Sequence, residues 1–383
     1  MKIAFVHNLP NGGAKRACFE FVKALNKNHT VDLFYIDKRS EEFLDLRKIV
    51  NKSFFFKGPT KIGGLNTFIA LYKVNNIYKK VAKKIDSLEY DIAVVNPCKI
   101  TIAPFVLKHL KTPSLYYCHE PLARALENHN ENHNENYISD ILKHINLKFK
   151  IYLDKKNALN ANLICANSLY SVENIYRFYG KYPFFCKLGV DSNKFINKNL
   201  EKTNDILCVG ALFEEKGQDF LIKSVAKIKN RPSIRFISNS QDENFKNKVI
   251  KLAKNLRVKI SFELLTSDDS LIEAYNKAKI VVFPSRLEPL GYVPLEAMSC
   301  GTPVVAVAEG GVRETVVHLK TGLLCQRDTN DFANNIKLLL ENNKLRNKLA
   351  GNCSSYVQEN WCLENSRKNL EKYLKKTLRY CSK

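Results

Sequence analysis

The fold is decided by a stretch that reads VVFPSRLEPLGYVPLEAMSCGTP from Val281 to Pro303. A short apolar run, which is typical of a strand, ends at a loop that contains Glu288. A helix is predicted to begin near Tyr292 or Val293, because proline is tolerated in the first turn of a helix. This order brings a helix N-terminus to the carboxyl end of a strand, where open α/β sheets bind their ligands. The partial positive charge of such a terminus suits a diphosphate.

Outward from this stretch, short apolar runs alternate with longer amphipathic segments in both halves of the chain. This rhythm predicts βα units on two parallel sheets. In the first half the predicted strands are Ile3–His7, Val31–Ile36, Ile92–Asn96, Ser114–Cys118 and Leu163–Ala166, with helices at Ala14–Leu25 and Ile138–Asn160. In the second half they are Asp205–Val209, Ile234–Ile237, Val258–Phe262, Ile280–Pro284, Val304–Ala306 and Gly322–Leu324.

A chain of 383 residues exceeds what one hydrophobic core usually supports, so two domains are expected. We predict an N-terminal domain over residues 1–192 and a C-terminal domain over residues 193–358. Residues 359–383 should contain a helix, predicted from Trp361 to Leu378, which could pack back on the first domain. Its leucines Leu363, Leu370 and Leu374 form a rough apolar stripe.

The composition indicates which partners, redox state and location to expect for the protein. The formal charge of +23 attracts phosphate groups. A general bias of the chain toward lysine is an equally good explanation for part of this charge. The 11 cysteines lack metal-ligand spacing and are expected to be reduced and to serve core packing. We find no signal peptide and no apolar run long enough to span a membrane, so a cytoplasmic location is expected.

Two acids in the quoted stretch are candidates for sugar recognition. A carboxylate at Glu296, about one turn into the predicted helix, can accept hydrogen bonds from vicinal hydroxyls such as a ribose diol. Glu288, just before the helix, could do the same for a hexose. The competing interpretation is that both acids only favour the N-terminal end of the helix dipole.

The whole segment resembles the E-x7-E signature of glycosyltransferase family 4, which spans Glu288 to Glu296 here. Two further blocks are similar to that family. GTPVV and EGGVRE together form the block downstream of this segment, and VGALFEEKG, from Val209 to Gly217, lies upstream of it. The resemblance implies a GT-B architecture, in which two Rossmann-like, doubly wound parallel-sheet domains face a cleft. The order and spacing of three blocks are far more specific than an acidic pair or a glycine turn.

The resemblance also implies a role for each matched residue. Glu296 would bind the donor ribose, Glu288 the donor sugar and Lys216 the diphosphate. The family commonly has arginine where this chain has Ala211, so Lys216 would neutralise more of the leaving group, helped by Arg286 or by a base of the first domain. The predicted donor site comprises Gly12, Gly13, Gly210, Lys216, Arg286, Glu288, Leu290, Gly291, Tyr292, Val293 and Glu296.

The first half fits the family more loosely. Gly12 and Gly13 follow the first strand and agree in position with the family's glycine-rich loop; on their own they would be a common connecting turn. His119 closes another predicted strand, where family members carry a histidine near the primary hydroxyl of the donor sugar. We therefore predict His119, Glu288 and Lys216 as the catalytic residues, with Glu120 orienting His119 or meeting the acceptor.

The resemblance implies transfer of a hexosyl unit with retention of configuration, by front-face attack, from a UDP or GDP sugar. It implies no required metal or other cofactor, and Asp268-Asp269 looks like a helix start rather than a metal motif. His129 and His133 stand four residues apart, as helical metal ligands would. The asparagines around them make a stable helix doubtful, so a metal site there is not favoured.

The expected acceptor is a glycan or a lipid-linked hydroxyl. Lysines at Lys79-Lys80, at Lys83-Lys84 and from Lys143 to Lys156 could bind an anionic membrane peripherally, or they are ordinary solvated helix faces. Two alternatives stay open, a GT-B nucleotide-sugar epimerase and a non-catalytic nucleotide-sugar-binding protein. A nucleic-acid partner is not expected, because no helix-turn-helix, RNP-type motif or finger spacing occurs.

Overall fold

The computed structural model describes residues 1–42, 44–59, 67–124, 137–265 and 267–382. The chain forms two compact units, one of Met1–Leu188 with Ser366–Lys383 and one of Gly189–Asn365. The domain bounds predicted from the sequence stay predictions. The segment with His129 and His133, where a metal site was considered, lies outside the described residues. Within the described part of the chain, no helix is long and apolar enough to cross a membrane.

The first unit is built on a seven-stranded parallel sheet with the order β3-β2-β1-β4-β5-β6-β7. Its central strands are almost fully buried, as expected of a parallel sheet covered by helices. The strands are β1 (Lys2–Asn8), β2 (Thr30–Tyr35), β3 (Lys52–Phe55), β4 (Ile92–Cys98), β5 (Ser114–Cys118), β6 (Leu163–Ala166) and β7 (Phe184–Phe185).

Amphipathic helices connect these strands. The α1 helix buries Phe21, Val22 and Leu25 and leaves Lys23 exposed, as the 3.6-residue period requires. The helices are α1 (Gly13–Leu25), α2 (Thr67–Asp86), α3 (Val106–His109), α4 (Tyr137–Ala158) and α5 (Leu169–Tyr179). Short 3-10 turns lie at Lys38–Glu41, Leu46–Lys48 and Leu122–Arg124.

The second unit has a six-stranded parallel sheet with the order β10-β9-β8-β11-β12-β13. This is the 3-2-1-4-5-6 order of a dinucleotide-binding sheet. Its strands are β8 (Ile206–Val209), β9 (Ile234–Ser238), β10 (Ile260–Leu264), β11 (Val281–Phe283), β12 (Val304–Val307) and β13 (Gly322–Cys325). Its helices are α6 (Gln218–Val225), α7 (Glu243–Asn255), α8 (Asp268–Lys277), α9 (Tyr292–Ser299), α10 (Val312–Thr315), α11 (Thr329–Glu341) and α12 (Asn343–Asn360), with a 3-10 turn at Glu214–Lys216.

The last helix, α13 (Leu363–Cys381), buries Leu370 and Leu374 completely. Within the first unit, the ring of Tyr373 lies 5.4 Å from that of Phe184, and the Lys376 ammonium lies 3.9 Å from the Phe184 ring centroid. Apolar contact and a cation–π contact therefore hold the end of this helix beside β7.

The predicted α/β class with two doubly wound parallel sheets is confirmed. The sequence missed β3 and β7, because both are short edge strands without a buried apolar run. Strand β10 begins two residues later than predicted. The reason is that Val258 still belongs to the turn after α7, where Arg257 has φ 54° and the Val258 amide donates to the Ala253 carbonyl over 2.9 Å.

Candidate active site

The candidate site of the second unit lies where the strand order reverses. Strands β8 and β11 are neighbours, and the chain proceeds outward from them in opposite directions. In a parallel sheet this reversal leaves a crevice beyond the carboxyl ends of the two central strands. The loops that follow β8 and β11 carry Lys216 and Glu288, so the topology alone brings these two predicted residues together.

The two loops approach each other closely. Gly217 has φ 71°, and a Cβ there would lie 3.1 Å from the carbonyl carbon of Pro284, so glycine is required on both counts. The Arg286 amide donates to the Glu215 carbonyl over 2.8 Å. Main-chain contacts therefore fix the position of the Lys216 loop relative to the Glu288 loop.

Lys216 and Glu288 form an ion pair, with 2.6 Å between Nζ and Oε2. The two side chains are 26% and 23% exposed, so the pair lies at the mouth of the site rather than in the core. Partly solvated pairs of this kind contribute little net stability, about 0–1 kcal/mol. A ligand with more negative charge can therefore replace Glu288 as the partner of Lys216 at small cost.

A glycine turn after β12 packs against the Glu288 loop. The Gly311 amide donates to the Glu288 carbonyl over 2.8 Å. A Cβ on Gly310 would lie 2.8 Å from the Glu288 nitrogen, and one on Gly311 would lie 2.9 Å from the Leu290 Cα. Only glycines allow this approach, and so the EGGVRE block helps to determine where Glu288 sits.

Arg327, which the sequence analysis did not single out, braces the same loop. Its guanidinium bonds both carboxylate oxygens of Glu309, at 2.7 and 2.8 Å, and donates to the carbonyls of Pro284 at 3.1 Å and Ser285 at 2.8 Å. Its planar fork uses several donors in one geometry. The sequence held a signal for this role, because Arg327 follows β13 and so lies at the carboxyl edge of the sheet, where the Glu288 loop also lies.

Helix α9 begins at Tyr292 as predicted. Its N-cap residue is Gly291, with φ 93°, and within the described residues this helix start has no side-chain capping hydrogen bond. Leu290 is buried beneath this start, and the Tyr292 hydroxyl donates to the Gly189 carbonyl over 3.0 Å. The helix terminus therefore has a fixed direction and a partial positive charge beside the Lys216–Glu288 pair.

Glu296 lies in α9 and is only 3% exposed. One of its carboxylate oxygens accepts a hydrogen bond from the Tyr275 hydroxyl, 2.8 Å away. An ionised carboxylate has about four acceptor sites, so Tyr275 orients the group without exhausting it. Tyr275, in α8, is a residue that the sequence analysis missed.

The other predicted donor-site residues of this unit lie on the same loops. Gly210 follows β8, and a Cβ there would meet nothing within 4 Å. Ala211, where the family arginine is missing, is half-buried, and its carbonyl accepts from Gln218 over 2.8 Å. Arg286 is exposed, and Val293 lies in the first turn of α9.

In the first unit, His119 directly follows β5, as predicted. Its Nδ1 lies 3.3 Å from the side-chain nitrogen of Asn167, while its Nε2 is buried with no hydrogen-bond partner among the described residues. Burial lowers the pKa of His119 to about 4, so the ring is neutral at pH 7. Glu120 bonds Arg124, while the His119 imidazole contacts the Asn167 side chain and, edge-on, the Tyr117 ring at a centroid distance of 5.2 Å.

The predicted glycine loop lies between β1 and α1, with Gly12 as the N-cap of the helix and Gly13 as its first residue. Beneath it is a buried charge cluster that the sequence analysis missed, with Glu41 2.6 Å from the Lys15 ammonium and 2.8 Å from His7 Nε2. Burial, and then the charge of Lys15, lower the pKa of His7 to about 4. Burial would raise the pKa of Glu41, but His7 and Lys15 lower it to about 2.

The second unit is similar to a known family of proteins. Residues 190–354 match the family model described as glycosyl transferases group 1. The chain is 25% identical over 304 residues to an uncharacterized glycosyltransferase of Methanocaldococcus jannaschii, covering 76% of this chain and 77% of that protein. These matches support a glycosyltransferase of the GT-B fold.

Two further similar proteins are a curated relative and a solved structure. A GDP-mannose-dependent monoacylated alpha-(1-6)-phosphatidylinositol monomannoside mannosyltransferase of Corynebacterium glutamicum is 26% identical over 234 residues, covering 55% of this chain and 61% of that protein. The crystal structure of HepE of Anabaena in complex with UDP and glucose superimposes with a TM-score of 0.76 at 21% identity, covering 98% of this chain and 99% of that one.

The matched length varies among the curated relatives. It reaches 77% of the Methanocaldococcus protein but 40% of an uncharacterized glycosyltransferase of Haemophilus influenzae. The HepE likeness, at 21% identity, supports the fold alone.

Proposed function

We propose that this glycosyltransferase moves a hexosyl unit from a UDP or GDP sugar to a hydroxyl of a glycan or lipid-linked acceptor. Transfer would proceed with retention of configuration and without a required metal. The observation that carries the proposal is the Lys216–Glu288 ion pair, which lies at the strand-order reversal beside the start of α9. The GDP-mannose-dependent relative supports the donor class, and HepE shows that a protein of this fold binds UDP and glucose.

The leaving diphosphate would be held by positive charge that is already in place. Lys216 and the N-terminal end of α9 supply that charge, and Arg286 lies on the same loop as Glu288. Fixed cations and helix dipoles stabilise developing negative charge well because they need little reorganisation during the reaction. Lys216 would turn from Glu288 to the diphosphate when the donor binds.

The same exchange releases Glu288 for the sugar. Once Lys216 bonds phosphate oxygens, the Glu288 carboxylate can accept hydrogen bonds from hexose hydroxyls. Glu296, oriented by Tyr275, would accept from the ribose diol. In this assignment neither acid attacks carbon, and His119 of the first unit remains a predicted catalytic residue.

Titration of the purified protein with UDP, GDP and their sugars tests the proposal, followed by assays of Lys216→Ala and Glu288→Gln. Lys216→Ala should weaken UDP binding about 10-fold or more, because a charge-assisted hydrogen bond contributes about 1.5–3 kcal/mol. Glu288→Gln removes the charge that pairs with the Lys216 ammonium, so it should leave the affinity for UDP within about 3-fold of the wild type while turnover falls. Equal and negligible effects of both substitutions would refute the roles assigned here.

Further assays test the stereochemistry, the metal requirement and the alternative functions. The anomeric configuration of the product relative to the donor, read by proton NMR, tests retention. Activity after dialysis against EDTA tests metal independence. Donor consumed without any acceptor would indicate an epimerase, and donor bound without turnover would indicate a non-catalytic binding protein.

For the lipid-linked acceptor, we propose that the first unit binds anionic membranes through α2 and α4. Lys79, Lys80, Lys83 and Lys84 are exposed on α2, and each basic residue near an anionic surface adds about 1 kcal/mol of attraction. The two helices also share an apolar patch in which the rings of Phe68 and Phe149 lie 5.0 Å apart. We define the patch as these two rings together with the side chains within one helical turn of them that are more than half exposed, which are Ile69, Tyr72, Ile145 and Tyr152.

Charge and exposed apolar side chains together are the combination that interfacial binding requires. Phe68 is 52% and Tyr72 is 67% exposed, which is unusual for aromatic side chains one helical turn apart. When both residues are changed to serine, most of the protein that sediments with phosphatidylglycerol vesicles should no longer do so. The matched control changes Leu264 and Leu319 of the second unit, which are 71% and 55% exposed, to serine. Equal loss from both double variants, or equal binding to phosphatidylcholine vesicles, would contradict this surface.

A further inference from the structure

His119 and Asn167 occupy equivalent places on neighbouring strands of the first sheet. Cys118 pairs with Ala166 in the β5–β6 register, and His119 and Asn167 are the residues that follow. The His119 carbonyl accepts a hydrogen bond from the Ser171 hydroxyl over 2.8 Å. Main-chain pairing and this bond therefore hold both residues in place at the carboxyl edge of the sheet.

The contact between the two side chains has a defined direction. The Asn167 atom that lies 3.3 Å from His119 Nδ1 is the amide nitrogen, which can only donate. With the amide in this orientation Nδ1 is the acceptor, and in a neutral imidazole the single proton then lies on the other nitrogen. Burial lowers the pKa of His119 to about 4, which agrees with a neutral ring at pH 7.

We infer that Asn167 is a positioning residue that holds His119 in the Nε2–H tautomer and so presents a ring N–H donor, with the Asn167 carbonyl oxygen as an acceptor, to a hydroxyl-bearing ligand. Both His119 Nε2 and Asn167 Oδ1 are buried without a hydrogen-bond partner among the described residues. Buried polar atoms are nearly always paired, so two such atoms on bonded side chains indicate a missing ligand or water.

The pair also indicates the chemistry of that ligand. A hydroxyl group both accepts and donates, so a polyhydroxy compound can satisfy the ring N–H and the amide oxygen. A phosphate or carboxylate offers acceptors only, so it can pair with the ring N–H but not with the Asn167 oxygen. Under the proposed function, on which this part of the inference rests, the ligand is the sugar of the donor or a hydroxyl-bearing acceptor.

Nitrogen-15 NMR of histidine-labelled protein tests the tautomer directly. The His119 signal is assigned by its loss in His119→Gln, and we expect the wild-type ring to carry its proton on Nε2. Asn167→Asp supplies an acceptor in place of the amide donor, so the proton should move to Nδ1 and the pKa of His119 should rise. Asn160→Asp, which adds the same charge at an exposed position of the same unit, should change neither. A wild-type ring protonated on Nδ1, or no tautomer change in Asn167→Asp, would overturn the inference.

Kinetics separate positioning from a general structural effect. Asn167→Leu should lower kcat/KM about 5- to 10-fold, the size expected for losing one hydrogen bond that orients an active group. In a His119→Ala background the same substitution should cost less than it does in the wild type, because the part of its effect that acts through the ring is already lost. Additive losses in the double variant would overturn the positioning role. If no nucleotide sugar is turned over at all, the proposed function fails, while the NMR spectrum still decides the tautomer.

Discussion

Replacing Gly311 with alanine should damage the donor site through a single added methyl group. Gly311 has φ −77° and ψ −8°, a conformation open to any residue, so alanine brings no backbone strain. The added Cβ would lie 2.8 Å from the carbonyl carbon of Pro289 and 2.9 Å from the Leu290 Cα, and closer still to the Pro289 oxygen. The effect is therefore purely steric, and it acts on the loop that carries Glu288.

The magnitude follows from these distances. Carbon atoms in contact prefer about 3.5–4.0 Å, so the loop must move by roughly 1 Å to admit the methyl group. Overpacking of this kind costs about 1–3 kcal/mol, and a domain of this size loses about 2–4 °C in Tm per kcal/mol. A 1 Å displacement of a group that positions substrate lowers turnover by about 100-fold.

Thermal unfolding and initial rates with a saturating nucleotide sugar measure both effects. Gly351→Ala is the matched control, because Gly351 lies in the interior of helix α12 with nothing within 4 Å of an added Cβ. The control should gain about 0.5–1 kcal/mol from helix propensity and keep full activity. A Gly311→Ala protein with wild-type Tm and wild-type kcat would refute the claim that the glycine turn determines the position of Glu288.

Four smaller changes test other parts of the structure. Tyr275→Phe removes the hydroxyl that orients Glu296, so KM for the nucleotide sugar should rise about 2- to 10-fold, and the free energy of unfolding should fall by about 1–3 kcal/mol because a buried carboxylate loses a hydrogen bond. The pKa of His7 is about 4 in the folded protein and 6.5 in the unfolded chain, so the unfolded state binds more protons between these pH values and the free energy of unfolding should fall as pH drops from 6.5 to 4. In His7→Gln, urea unfolding should show a weaker dependence of this free energy on pH. Ala211→Arg restores a cation near Lys216 and should tighten UDP binding, more at low salt than at high salt, by calorimetry. A thiol reagent should modify exposed Cys381 in the native protein, whereas the nine buried cysteines should react only after unfolding.

The elements that the sequence predicted are those with strong local signals. The buried strands are continuous apolar runs, and the start of α9 was predictable because Gly291 and Pro294 constrain the backbone there. The pairing of Lys216 with Glu288 could be expected from topology, since β8 and β11 are central neighbours. Such features depend on neighbours in sequence or on the order of strands in a known sheet type.

The residues that were missed act across long sequence separations. Tyr275 reaches Glu296 from another helix, and Arg327 reaches the Glu288 loop from the end of β13. The Lys15–Glu41 ion pair is buried, whereas lysine and glutamate usually lie at the surface, so composition argues against it. Only coordinates reveal contacts of this kind, because no periodicity or motif marks them.

The Lys216–Glu288 pair also bears on how the proposed enzyme would distinguish its donor from the parts of that donor. A free hexose offers hydroxyls to Glu288 but nothing to Lys216, so it must compete with an ion pair that is already formed. A free nucleotide diphosphate binds Lys216 but leaves Glu288 without its cation. The complete nucleotide sugar satisfies both groups at once, and the two interactions then favour each other. Such a site would recognise the intact donor more strongly than the separate contributions of its halves suggest.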